Sequence, residues 1–384
     1  MSRRRSDEAM LLFVTALLAS CQTAVDEPAR DAVDADWEVG TLAEADIDEA
    51  RLDALVAEIE SQRLENIHSV LIVKDGKLVF ERYFEGADTR RGGRDLGIVA
   101  FDAERLHDLR SVTKSVTSVL VGIAAGQGAL STDDAVFDHF PEHADLREGA
   151  KADITVEHLL LMRSGLAWDE TTYRYTDRRN SETAMDFAES SMRYVLEQPL
   201  DAAPGERFEY CGGCTMLLAG VVRAATGSDL DDFAETHLFD PLGITDFEWL
   251  AHSDGFPIAA SGLRLRPRDM AKIGYLFVKE GRWGEEQVIP AEWVSRSTTS
   301  HLELDSIAGY GYQWWIDHEV IGDQPHSFPI ARGNGGQRIY IIEPLDMVVV
   351  ITAGNYNLPG GSRHSEQAFW RFILPAAVEG GAGG

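Results

Sequence analysis

The 384-residue chain predicts an α+β fold: a largely antiparallel sheet flanked by helices, with a mainly helical insertion. Three observations carry this. Apolar runs with strand character cluster near both ends of the chain. The middle, roughly residues 111–300, carries helical periodicity and long loops. Hydrophobic residues make up 44%, enough for a sizeable core. The sheet is therefore expected to be assembled from segments far apart in sequence. No internal repeat is evident.

The elements follow in order. Residues 1–20 read as a lipoprotein-type signal peptide. Arg3, Arg4 and Arg5 precede a ten-residue apolar run at 9–18, too short to span a bilayer and suited to a signal core. The L-A-S-C that ends at Cys21 resembles the lipobox of bacterial lipoproteins. That resemblance makes Cys21 the lipidated first residue after cleavage and implies an exported protein, anchored on the periplasmic side of the cell envelope. An ordinary signal peptide or a buried N-terminal helix is the alternative. Residues 21–45 are acidic and Ala-rich, as in a tether. The folded body is expected at 46–376 and a Gly-rich tail at 377–384. No other segment is apolar enough to cross a membrane.

Within the body, Leu52, Leu55, Val56 and Ile59 follow helical spacing behind Asp48, a suitable cap. Residues 69–74 and 77–83 flank Asp75-Gly76, so a β-hairpin is expected there. Val112, Val116, Val119, Leu120 and Ile123 mark the core face of a further helix. Strands are expected at 310–316, 339–342 and 347–352, the last two joined by E-P-L-D, and a final helix at about 366–374.

The net charge is −29 and the pI near 4.7. Such a surface repels phosphate backbones and argues against a nucleic-acid partner.

Ser111 opens the Val112 helix, and Lys114 lies three residues on, on the same face. A hydroxyl alone is a poor nucleophile at neutral pH. An amine held against it can take its proton if burial or nearby cations keep that amine neutral. A helix N-terminus also aims backbone N–H groups at developing negative charge. Beyond the lysine this face is small (Ser115, Ser118, Gly122), which suits close packing better than open solvent.

The S-V-T-K-S-V-T-S of residues 111–118 resembles the active-serine motif of class C β-lactamases and the related penicillin-binding hydrolases. Further blocks agree in order: 154–166, 204–210 with 217–220, 240–244, 265–274 and 310–315. The resemblance runs from about residue 50 to 375. It implies the β-lactamase/transpeptidase-like fold and a serine hydrolase working through an acyl-enzyme on Ser111. Tyr210 falls where relatives carry the tyrosine of a Y-x-N or Y-x-S motif, a general base that later protonates the leaving group. A phenol needs a neighbouring cation for this, and Lys114 is the natural one. Gly212 departs from the pattern, since relatives place an Asn or Ser side chain there.

Cys211 and Cys214 form a C-x-x-C beside Tyr210. No βαβ frame supports redox chemistry, and no His/Cys cluster supports zinc. A disulfide remains open for an exported protein. No metal or organic cofactor is implied.

The G-N-G-G-Q at 333–337 occupies the slot of the third family motif, K-[ST]-G or H-x-G. Asn334 aligns with the basic residue and Gly336 with the closing glycine. The N–H groups of Ser111 and Gln337 would form the oxyanion hole. Asn334 carries no charge, so the grip on a substrate carboxylate is weakened unless Arg332 or Arg338 replaces it. This favours small esters or amides and resembles carboxylesterase and 6-aminohexanoate-dimer hydrolase relatives. Tyr173 and Tyr175, in a polar loop at 168–179, are candidates for substrate contact. The rival readings are a non-catalytic penicillin-binding-like lipoprotein with an eroded site and a true class C-type β-lactamase or D-amino-acid peptidase. No G-x-S-x-G supports an α/β-hydrolase, and the E-x-x-L-N block of class A β-lactamases is missing. Oligomeric state is not legible in the sequence.

Overall fold

Alternation along the strands sends side chains to two different cores. Val70 and Ile72 point to one face of the sheet, Leu71 and Val73 to the other. The computed structural model describes residues 37–379 apart from 322–323. The expected leader, Cys21, most of the tether and residues 380–384 lie outside the described residues.

Among the described residues, nine strands make the main sheet. Their order is Glu38–Val39, Lys77–Tyr83, Ile67–Lys74, Met347–Ala353, Gln337–Ile342, Gln324–Gly333, Trp315–Ile321, Ala308–Tyr310 and Leu302–Glu303. Glu38–Val39 pairs in parallel with its neighbour, and the other pairings are antiparallel. First-half and last-half segments thus meet at the centre, where Ile67–Lys74 lies against Met347–Ala353, as the sequence predicts. Asp75 and Gly76 both take positive φ, 53° and 79°, as the tight hairpin turn requires.

The Glu49–Glu60 helix, capped by the Asp48 side chain, and the C-terminal helical segment Arg363–Glu379 cover one face. The other face packs on the helical layer. Its centre is the Val112–Gly126 helix, which lies beside Gly212–Thr226. Val112–Ala124 is buried on every side, so the serine–lysine face has no solvent stripe. The small-residue expectation is met by close packing: a Cβ at Gly122 would sit 2.3 Å from the Trp293 ring.

Several boundaries move. Trp37 is buried edge-on against Tyr275 and Trp283, both at 5.4 Å, and Glu38–Val39 joins the sheet. Residues 37–45, expected in the tether, therefore belong to the folded body. The final helix continues through Ala377 to Glu379, past the expected boundary at 376. The expected strand at 310–316 is two strands, because the chain bends between them and Gln313 takes φ 63°. The strand Gln324–Gly333 was not foreseen, since Pro325 and Pro329 interrupt its pattern.

Candidate active site

Arg110 takes φ 51°, an uncommon conformation for a side chain of its size, and turns the chain sharply into the helix. Its guanidinium donates to Thr89 O at 2.6 Å, pairs with Asp108 at 3.4 Å and lies over the Tyr356 ring. Ser111 then stands at the N-cap position of the helix, and its side chain makes no capping bond to the first turn. The Lys114 Nζ donates to Ser111 Oγ at 3.2 Å and to Ala260 O at 3.1 Å. It lies 4.9 Å from the centre of the Tyr210 ring, and the Tyr210 hydroxyl faces both Ser111 and Lys114. Tyr210 is supported from behind by Trp315, with ring centres 5.8 Å apart. The three residues that the sequence named for proton handling therefore share one site.

Gly212 explains what replaces the missing motif side chain. A Cβ there would sit 2.7 Å from Glu170 Oε1 and 2.8 Å from Glu182 Oε2. Two carboxylates fill the space. Glu182 Oε2 lies 3.7 Å from Lys114 Nζ, while its other oxygen accepts from Ser261 and Arg91. Glu170 accepts from the Gly212 N–H, the Trp168 indole and the Tyr175 hydroxyl. Neither glutamate was legible as a site residue. Each comes from the loop and helix at 168–186, with no spacing relation to the serine motif.

The charges follow from this geometry. Burial works against the Lys114 ammonium, but Tyr210, Glu182 and Glu170 outweigh it and hold its pKa above the ordinary value. The neighbours are acids, not cations, so the condition for a neutral amine is not met, and Lys114 takes the other expected part, the cation beside Tyr210. Burial pushes the Tyr210 phenol up, and Lys114 pulls it only part of the way back, so it stays above the ordinary tyrosine value. Burial also opposes ionisation of Glu182, yet Lys114 and Arg91 hold its carboxyl well below the usual range. Glu170 is pushed up to about 8, first by burial and then by the Glu182 charge.

The site opens into a cleft of about 580 Å³, lined among others by Ser111, Tyr175, Glu182, Asn334, Tyr356 and Asn357. Asn334, Gly335 and Gly336 form the turn between Gln324–Gly333 and Gln337–Ile342, with φ 90° and 105° at the two glycines. A Cβ on Gly333 would sit 2.4 Å from Leu109 O, so this hairpin lies against the approach to Ser111. Asn334 reaches the cleft but is tied to Asn357 at 2.7 Å. The Gln337 side chain is buried and engaged with Ala353. Gly336 packs on Ser365. Neither Gly336 nor Gln337 is among the cleft-lining residues. Arg332 pairs with Asp317 and Arg338 with Glu366. Of the two candidate tyrosines, Tyr175 lines the cleft, while Tyr173 lies under Arg179. Cys211 and Cys214 are buried free thiols. Cys211 caps its helix by accepting the Cys214 N–H at 2.9 Å, and Cys214 faces Ser164 at 3.3 Å.

The antiparallel sheet, the helical layer and the serine–lysine–tyrosine site between them define a β-lactamase/transpeptidase-like fold. The β-lactamase family model matches residues 53–368, and the chain belongs to that family. It is 24% identical over 329 residues to a 6-aminohexanoate-dimer hydrolase of Paenarthrobacter ureafaciens, spanning 78% of this chain and 76% of that protein. It is 26% identical over 174 residues to protein flp of Staphylococcus aureus strain MW2, covering 45% of this chain and 33% of the relative. The match thus spans about a third of the length of that relative. Among solved structures, a penicillin binding protein from Bacillus halodurans superposes with a TM-score of 0.64 at 18% identity, covering 83% of this chain and all of that one.

Proposed function

We propose that the protein is a serine hydrolase that forms an acyl-enzyme on Ser111 from small, uncharged esters or amides. The supporting observation is the Ser111–Lys114 contact of 3.2 Å, with the Tyr210 hydroxyl facing both groups from behind and Ser111 lining the cleft. Ser111 Oγ attacks the substrate carbonyl, and its proton passes to Tyr210 in the minor population that Lys114 holds as the phenolate. Lys114 stays an ammonium and stabilises that phenolate. The Ser111 and Gln337 N–H groups receive the oxyanion. The proton then goes from Tyr210 to the leaving alcohol or amine as its bond to the carbonyl breaks. Water, deprotonated by Tyr210, releases the acid and regenerates Ser111.

The preference for uncharged substrates rests on the state of the arginines. Those near the third motif are paired with Asp317 and Glu366. Arg90, Arg91 and Arg110, which line the cleft, pair with Glu248, Glu182, Asp186 and Asp108. A substrate carboxylate would have to displace these acids. The dimer named for the Paenarthrobacter relative is an amide that still carries a terminal carboxylate, so it supports amide cleavage and not the preference for uncharged substrates. Export and a lipid anchor at Cys21 complete the proposal.

The test compares p-nitrophenyl butyrate, nitrocefin and a D-alanyl-D-alanine peptide on purified protein. The expected result is ester turnover far above β-lactam and peptide turnover, lost in Ser111→Ala. Efficient nitrocefin hydrolysis with no ester turnover would instead mark a true β-lactamase. No turnover of any substrate, and no adduct with a serine-directed fluorophosphonate, would support the non-catalytic reading.

A further inference from the structure

His68, Asp88 and His107 come together from three separate strands, and all three are buried. His68 lies on the central strand Ile67–Lys74, Asp88 on Glu85–Thr89, and His107 four residues before Ser111. His68 Nδ1 faces His107 Nε2 at 2.9 Å. The outward ring nitrogens are already committed. His68 Nε2 meets Ala87 O at 3.1 Å and Asn66 Oδ1 at 3.3 Å, two oxygens in place. Asn66 Oδ1 is itself an acceptor for the Ala87 N–H, and its amide nitrogen donates to Ala87 O. His68 Nε2 must therefore carry a hydrogen. His107 Nδ1 meets Asp108 O at 3.1 Å and must carry one as well.

Two neutral rings hold two hydrogens, and both are now used. The inner nitrogens therefore face each other as two lone pairs. Only a cation between them resolves the contact: a third proton or a metal ion. Asp88 adds the third donor group that a metal needs and a shared proton does not. One of its oxygens is held by the Thr89 N–H at 2.9 Å and the Tyr356 hydroxyl at 3.1 Å, while its second oxygen has no hydrogen bond among the described residues. One ligand atom from each of the three residues lies within 4.8 Å of the others. Outer ring nitrogens donating to backbone carbonyls are the usual support of metal-binding histidines.

We propose that His68 Nδ1, His107 Nε2 and Asp88 bind a divalent transition-metal ion of the zinc class. Zinc–nitrogen bonds of about 2.0–2.1 Å at tetrahedral angles set the two nitrogens roughly 3.3 Å apart. The ion thus spreads the rings by a few tenths of an ångström. The surrounding wall is close: Phe101 stacks on His68 with ring centres 3.9 Å apart, and a Cβ at Gly354 would sit 2.6 Å from His68 Cε1. The site is distinct from the serine and is structural. It ties the central strand and the Glu85–Thr89 hairpin to the segment entering Ser111. Through Asp88 and Tyr356 it also supports Arg110, whose turned backbone sets the helix entry.

The test uses the folded Ser111→Ala protein alongside wild type, so that the readout is independent of hydrolysis. Each is treated with chelator, then titrated with Co²⁺ or Zn²⁺. The expected result is about one metal per chain by elemental analysis. Cobalt should give ligand-field bands without the sulfur charge-transfer that Cys211 or Cys214 would add. Melting should occur several degrees higher with zinc than after chelation. His107→Gln and Asp88→Asn should lose the metal, while His364→Gln keeps it. A folded wild-type protein that retains no metal above background, with no cobalt band and no zinc-dependent shift in melting, overturns the proposal and leaves a proton shared between the rings.

Discussion

At Gly212 a single missing side chain reorganises the chemistry around it. The space that relatives give to an amide or hydroxyl is occupied by two carboxylates from another loop. Glu182 keeps its charge against Lys114 and Arg91, and Glu170 beside it stays protonated. Two like charges this deep in the protein resist joint ionisation. The folded pKa of Glu170 is raised above its unfolded value. Its protonated form therefore favours the fold at low pH, and that contribution is lost as pH rises through about 8. Glu170→Gln keeps an acceptor for Trp168 and Gly212, supplies an N–H toward Tyr175, and removes the titration. Melting temperatures from about pH 6 to 9 should fall for wild type and fall less for Glu170→Gln. Parallel curves would show that Glu170 does not titrate in this window. Ser111 and Lys114 were legible because helical spacing puts them on one face and the resemblance of the surrounding blocks marks that face as the site. Glu170 and Glu182 were not, because contact across a loop leaves no spacing signal.

The Val112–Gly126 helix carries the nucleophile because it is fixed along its length. Ser115 donates to Gln313 O, Thr117 to Ala259 O, and Gln313 accepts from Thr215 on the neighbouring helix. Gly122 lets Trp293 approach without a Cβ between them. Gly122→Ala should destabilise the protein by about 1–3 kcal/mol, the usual range for overpacking a close contact. Chemical denaturation checks this, and an unchanged midpoint would show that Trp293 moves aside freely. The periodicity behind this helix and the Asp75-Gly76 hairpin were both readable in the sequence. The strand Gln324–Gly333 was not. Its prolines hide a pairing that is fixed by neighbours on both sides. The third motif was readable as a glycine-rich approach to a strand, but its use as the turn of that hidden hairpin was not.

Across the whole molecule, one sheet joins the two ends of the body and packs on a helical layer whose centre is the serine helix. The terminal strands announced this architecture, and so the fold class was legible before any coordinate. The domain edges were less so. Trp37 reaches its aromatic partners only in three dimensions, and nothing local distinguishes it from a tether residue. The same holds for His68, Asp88 and His107, whose distant positions form no recognisable metal motif and supported the expectation of a metal-free chain. The acidic composition and the proposed leader belong to this scale as well. Export with lipidation at Cys21 predicts that the full chain, expressed in a bacterium, fractionates with membranes and incorporates labelled fatty acid. Cys21→Ser should move it to the soluble fraction without changing activity. A full-length chain that is unlabelled and soluble from the start would exclude the anchor.

The account depends most on a covalent bond at one oxygen. Intact-mass and peptide analysis after treatment with a fluorophosphonate tests it directly. Wild type should gain one phosphonyl adduct, located on Ser111, and Ser111→Ala should gain none while remaining folded. An adduct at another residue, or an unmodified wild-type chain that still turns over esters, would contradict it.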